Sequence, residues 1–124
     1  MRNKRIYILG GQGLIGKEIT KKFKIDNKVI VLDIIIKNKI KNNLIYQNFD
    51  VSKFHLIKNE LNRIIKKNGN PDVFINCSYP RTVDWNKYNI ENLEMDYLRR
   101  NVDLHMNSYA WSILEFAKIM KKNK

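Results

Sequence analysis

The chain has 124 residues, enough for one compact domain and too few for two. Hydrophobic residues make up 44% and charged residues 29%, the balance of a globular chain and not a disordered one. A formal net charge of +12 raises nucleic acid as a partner. The lysines are scattered, however, with Lys4, Lys17, Lys28, Lys53, Lys66, Lys87 and Lys118 in different segments. No basic helix and no basic loop interleaved with aromatic rings stands out, so the charge reads as a solvated surface.

No N-terminal stretch combines a basic start, an apolar segment and a small-residue cleavage site. The longest apolar run, 29–36, is interrupted by Asp33 and is far shorter than the ~20 residues a membrane helix needs. A single cysteine, Cys77, excludes an internal disulfide and fits a reducing compartment. A cytoplasmic protein without a membrane partner is the expectation.

In chain order, residues 4–9 are β-branched and aromatic and run into glycines, which predicts a strand. From Gly13 the period becomes helical, with Leu14, Ile15, Ile19 and Phe23 on one predicted face. Residues 28–34 are almost continuously apolar, as in a parallel strand buried on both faces. A polar connection over 37–43 leads to a third strand at 44–49. Ser52 is a suitable N-cap for a helix carrying Phe54, Ile57, Leu61, Ile64 and Ile65, which Gly69 and Pro71 bring to a stop. Residues 72–77 form a fourth strand. After a loop containing Pro80, a long helix over about 92–122 carries an apolar stripe of Leu98, Val102, Met106, Tyr109, Ala110, Ile113, Leu114 and Ala117. The order β-α-β-β-α-β-α predicts an α/β, Rossmann-like parallel sheet with helices on both faces.

The strongest local signal is Gly10-Gly11-Gln12-Gly13-Leu14-Ile15-Gly16. It satisfies G-x-G-x-x-G between a predicted strand and a predicted helix, the context in which such a loop cradles a pyrophosphate. A tight turn needs positive φ, close approach of a phosphate needs a missing Cβ, and helix–sheet packing favours a glycine at Gly16. The helix start then offers free N–H groups and the positive dipole end. Asp33 ends the second strand about 20 residues further on, where a carboxylate meets the adenosine ribose and repels a 2′-phosphate. That favours NAD over NADP, although Lys37 and Lys39 lie nearby and weaken the discrimination.

With these residues stand Asp50-Val51 after the third strand, Asn76-Cys77-Ser78 ending the fourth, and Asn101-Val102 in the last helix. In this order they resemble the N-terminal part of the short-chain dehydrogenase/reductase family, over essentially the whole chain. The resemblance implies that Asp50 bonds the adenine amino group and Val51 lines its pocket. It implies that the strand end at Asn76, Cys77 and Ser78 passes the adenine ribose, and that Asn101 bends the long helix and anchors a water in a proton relay. A homo-oligomer packed through the last helix is also implied. The stretches 77–81 and 101–105 are similar to the branch concerned with flagellin modification and nonulosonic-acid sugar synthesis. Two departures stand out: Leu9 replaces the usual Thr before the first glycine, and Tyr79 stands where the family has a glycine.

The family's Tyr-x-x-x-Lys pair is absent, because no tyrosine in the chain is followed four residues later by lysine. The expectation is therefore a single NAD(P)-binding domain over 1–124, truncated after the fourth strand and the following helix, as the N-terminal half of a longer oxidoreductase and inactive alone. The parent would act on a small-molecule hydroxyl or carbonyl, with a sugar nucleotide one option. A non-catalytic dinucleotide-binding module, an epimerase or dehydratase fragment, and a basic nucleic-acid binder are the alternatives. His55, His105 and Cys77 make no metal spacing. His105 lies one turn past Asn101 and is a candidate to face a substrate cleft, against a partly buried helix histidine. The loop 85–92 is a candidate for substrate contacts.

Overall fold

In the computed structural model, residues 1–34 and 37–122 are described; the last two positions of the apolar run 29–36 lie outside them. Strands β1 (Arg5–Leu9), β2 (Lys28–Asp33), β3 (Lys39–Lys41), β4 (Leu44–Asn48) and β5 (Val73–Asn76) form one sheet of order β3-β4-β2-β1-β5. The helices are α1 (Leu14–Phe23), α2 (Phe54–Asn68) and α3 (Met95–Lys121), with a 3-10 turn at Trp85–Lys87. β1, β2, β4 and β5 are parallel, and β3 pairs antiparallel with β4.

The two central strands carry the core because both of their faces are covered. Ile6, Ile8, Val29 and Val31 point to one face, where Ile19 and Phe23 of α1 pack. Tyr7, Leu9, Ile30 and Leu32 point to the other, against Ile57, Leu61, Ile64 and Ile65 of α2 and Phe116 of α3. Each such aliphatic side chain contributes roughly 1.5–3 kcal/mol when fully buried. The Tyr7 hydroxyl crosses this core to donate to Gly69 O at 2.6 Å, and burial pushes its pKa up. Gly69 stops α2 at φ 93°, as the Gly–Pro signal predicts.

Three expectations are corrected. The connection over 37–43 is not all loop: 39–41 is a short edge strand, turned back through Asn42 at φ 52°. Its Lys-Ile-Lys sequence is exposed throughout, the charged composition that guards a sheet edge. Ser52 does not cap α2. Lys53 holds the N-cap position without a side-chain bond, because the Ser52 hydroxyl donates instead to Asp50 Oδ1 at 2.6 Å, a stronger, charged acceptor. The apolar stripe on the last helix does not face the core: Leu98, Val102, Met106, Ile113 and Leu114 are exposed.

What α3 buries is a row of mainly small polar residues, Asn101, Ser108 and Ser112, with Tyr97, Glu115 and Phe116. Phe116 stacks on Phe74 of β5 with ring centroids 3.8 Å apart, docking the helix on the edge strand. Truncation of this ring separates the two faces of the helix. Phe116→Ala is expected to cost about 3–5 kcal/mol, and Leu114→Ala about 0.5 kcal/mol or less, read from denaturant midpoints at constant m-value.

Candidate cofactor site

The site follows from register. Leu9 of β1 pairs with Leu32 of β2 and with Asn76 of β5, and Asp33 pairs with Asn48 of β4. The C-terminal ends of four parallel strands therefore finish level. The chain leaves β1 for α1 on one face and reaches β5 from α2 on the other. This makes the β1/β5 boundary a switch point, where open α/β sheets form a crevice.

The glycine loop lies across that boundary. Gly10 adopts φ +73°, and a Cβ there would lie 2.5 Å from Ser78 N and 2.6 Å from the Cys77 carbonyl carbon. A Cβ at Gly16 would collide with Gly10 O and Gly11 Cα, so only glycine lets α1 seat on the loop. Gly11 packs against Val31. Gly13 N donates to Gly10 O at 3.1 Å, and Gly13 is the N-cap of α1, with no side-chain cap and no acidic residue in the first turn. Leu14 and Ile15, which share the apolar helix face with Ile19 and Phe23, are exposed, while Ile19 and Phe23 pack on the sheet.

Asp33 accepts a hydrogen bond from Gln12 N at 2.9 Å, which ties the end of β2 to the middle of the glycine loop. Phe49 N donates to Asp33 O at 3.1 Å and brings β4's exit alongside. Asp50 is engaged locally: its Oδ1 accepts from Ser52 N at 2.9 Å, and its Oδ2 lies 3.8 Å from Lys53 Nζ. Val51 is buried in the core under α2. Asn76 Oδ1 accepts from Ser78 N at 3.0 Å and Ser78 Oγ at 2.7 Å, shaping the turn against Gly10. Cys77 stays in register by donating its N–H to Leu9 O, and burial pushes its thiol up, which keeps it protonated and poorly nucleophilic.

Asn101 is buried, and α3 runs continuously through it. Its Nδ2 donates to Tyr97 O at 3.1 Å and its Oδ1 accepts from Thr82 Oγ1 at 3.1 Å. Sequence reasoning missed how the loop after β5 is stitched to α3. Tyr109 Oη donates to Ser78 O at 2.8 Å, Tyr97 Oη to Trp85 O at 3.0 Å, and Arg100 pairs with Asp84 at 3.1 Å. Tyr97 and Tyr109 carry the only usable signal, since a buried phenol seeks a partner.

The structure is similar to solved dehydrogenases. It matches a short-chain dehydrogenase from Leptospira borgpetersenii with bound NAD+, at TM-score 0.79 and 21% identity over 99% of this chain and 48% of that one. It matches an aldohexose dehydrogenase from Thermoplasma acidophilum at TM-score 0.75 and 24% identity, over 96% and 45%. The fold is that of the short-chain dehydrogenases/reductases. In sequence the chain is 26% identical over 134 residues to the post-translational flagellin modification protein A of Campylobacter coli, spanning 98% of this chain and 52% of that protein. The resemblance to this family and to its flagellin-modification branch therefore holds. No family model matches. The chain spans about half the length of the relatives it matches.

Among the described residues no group of His, Cys, Asp and Glu could hold a metal, and no helix is long and apolar enough to cross a membrane. Two depressions lie away from the glycine loop. One of about 310 Å³ sits at the N-terminal ends of the strands around Lys4, Asp26 and Asp72, and one of about 500 Å³ runs along the exposed stripe of α3.

The glycines separate in a direct test. Gly10→Ala, strained in φ and meeting backbone atoms, is expected to cost about 2 kcal/mol or more. Gly13→Ala, with negative φ and only Gly10 O nearby at 3.3 Å, is expected to cost about 1 kcal/mol or less. Equal losses in urea denaturation would contradict this geometry.

Proposed function

We propose that this chain is a single NAD-binding domain, the adenosine- and pyrophosphate-binding half of a cytoplasmic oxidoreductase that moves hydride between nicotinamide and a hydroxyl or carbonyl. NADP is the less favoured cofactor, and a sugar nucleotide is one substrate option. The observation that carries this reading is the cradle: the uncapped N-terminus of α1 beside Gly13, with the Asp33 carboxylate held against Gln12 N. A Cβ at Gly13 would meet nothing but Gly10 O, so the space a pyrophosphate needs is open at that glycine.

In this reading the N–H groups of Leu14, Ile15 and Gly16 receive phosphate oxygens, and Gly10 and Gly11 keep the backbone free of side chains. The Asp33 carboxylate takes the ribose hydroxyls, with Gln12 N fixing its direction. The ammonium of Lys39 lies over the Tyr46 ring at 4.6 Å, so this cation has an occupation other than a 2′-phosphate. Asp50 and Val51 border the adenine, Asn76, Cys77 and Ser78 border the ribose, and Asn101 supports the far wall. Bound nicotinamide supplies the hydride acceptor or donor. The NAD+ held by the Leptospira relative and the dehydrogenase activity named for both structural relatives support this reading.

The missing Tyr-x-x-x-Lys pair favours a second reading, a dinucleotide-binding module without catalysis; an epimerase or dehydratase front half is a third. All three predict that NAD raises the melting temperature through linkage. Gly13→Val fills the cradle and Asp33→Ala removes the ribose acceptor; each is expected to weaken NAD binding at least about tenfold in calorimetric titration, while the isolated chain shows no turnover. NAD binding that survives both changes undiminished would refute the assignment.

We also propose that the chain self-associates through α3, whose exposed Leu98, Val102 and Met106 form an apolar stripe on a helix otherwise docked on the sheet. Val102→Asp is expected to shift sedimentation toward monomer while leaving NAD binding in place.

A further inference from the structure

A buried, unmatched acceptor stands on the far wall of the crevice. His105 Nδ1 lies 2.9 Å from Asn101 O. A carbonyl only accepts, so Nδ1 carries the hydrogen, and in the neutral imidazole the lone pair is then on Nε2. Among the described residues, Nε2 is shielded from solvent and has no hydrogen-bond partner. Proteins rarely leave such a group unpaired without a use for it.

Its surroundings are aromatic. The His105 ring centroid is 4.4 Å from Tyr79, 6.2 Å from Trp85 and 6.1 Å from Tyr109. These neighbours are not equally fixed. Tyr109 is bonded to Ser78 O, and the Trp85 backbone is held by Tyr97. Tyr79, nearest to His105 and only two residues from Cys77 at the end of β5, is 59% exposed. A side-chain rotation of Tyr79 is therefore the least costly way to uncover Nε2.

We propose that His105 and Tyr79 form a recognition site for a hydroxyl-bearing saturated ring of the substrate. The apolar face of the ring lies on the Tyr79 ring, and one ring hydroxyl donates to His105 Nε2. An aromatic surface with a single directed polar group is the usual composition of a small-ligand pocket. The fixed tautomer sets its preference: a lone pair accepts from a hydroxyl and offers nothing to a carbonyl. His105 is here a specificity residue, and Asn101 acts on it by fixing the tautomer. The inference rests on the reading of this end of the sheet as the cofactor and substrate end.

The test uses the 124-residue chain with methyl β-D-glucopyranoside as probe and tetrahydropyran, the same ring without hydroxyls, as control. Long-range ¹H–¹⁵N spectra of the imidazoles follow the binding. The glucoside is expected to shift the Nε2 resonance of His105 while Nδ1 stays protonated, with tetrahydropyran roughly tenfold weaker. His105→Phe, which keeps a ring and removes the orphaned acceptor, is expected to melt no lower than the parent and to lose glucoside affinity to a similar extent. No shift at Nε2, equal binding of the two probes, or unchanged glucoside affinity in His105→Phe would each overturn the proposal. NAD titrated into the unmodified chain reports on the glycine loop separately. If NAD binds and the glucoside does not, this inference falls alone; if NAD does not bind, the cofactor reading falls.

Discussion

The approach of Gly10 to the backbone of Cys77 and Ser78 is the constraint on which the rest of the site depends. Two strands that finish level must let their exits diverge, and here the exit of β1 crosses within van der Waals reach of the exit of β5. Any side chain at Gly10 would push them apart, and any at Gly16 would lift α1 from the loop. Both contacts are backbone against backbone, so rotamer changes cannot relieve them. The same absence of side chains that lets the layers close also leaves the first N–H groups of α1 facing outward.

The helices meet the sheet by different means. α2 buries aliphatic residues at the expected spacing, and α1 packs on the sheet through the partly buried Ile19 and Phe23. α3 approaches through Ser108 and Ser112, whose hydroxyls are satisfied within the helix: Ser112 Oγ donates to Ser108 O at 2.6 Å and Ser108 Oγ to His105 O at 3.0 Å. Small residues permit close packing, and bonding to the preceding turn removes most of the cost of burying a hydroxyl. Phe116 then supplies the apolar anchor at the far end.

This difference explains what could be read from the sequence. The glycine loop, Asp33 and the parallel strands were legible because each rests on local chemistry, and the register then brings Gln12 to Asp33. Hydrophobic spacing misplaced Leu14 and Ile15 and the stripe on α3, because it equates apolar with buried, whereas those side chains border a crevice or an uncovered face. β3 escaped notice because a charged edge strand has the composition of a loop. The tautomer of His105 depends on the carbonyl one turn before it, but the enclosure around it depends on Tyr79 and Trp85, which no spacing rule brings to that helix.

The two walls of the crevice are thus held unequally. On the α1 side the loop is fixed by steric exclusion. On the α3 side the wall is a loop sewn to a helix by Tyr109–Ser78, Thr82–Asn101 and Tyr97–Trp85. Ser78 belongs to both walls: its backbone touches Gly10, and its carbonyl is held by Tyr109. Ser78 is therefore in contact with both α3 and the glycine loop. α3 rests on β5, the edge strand, whose four residues are each only half-buried, and it turns its apolar stripe outward. On this fold the edge strand, α3 and the glycine loop are joined through Ser78.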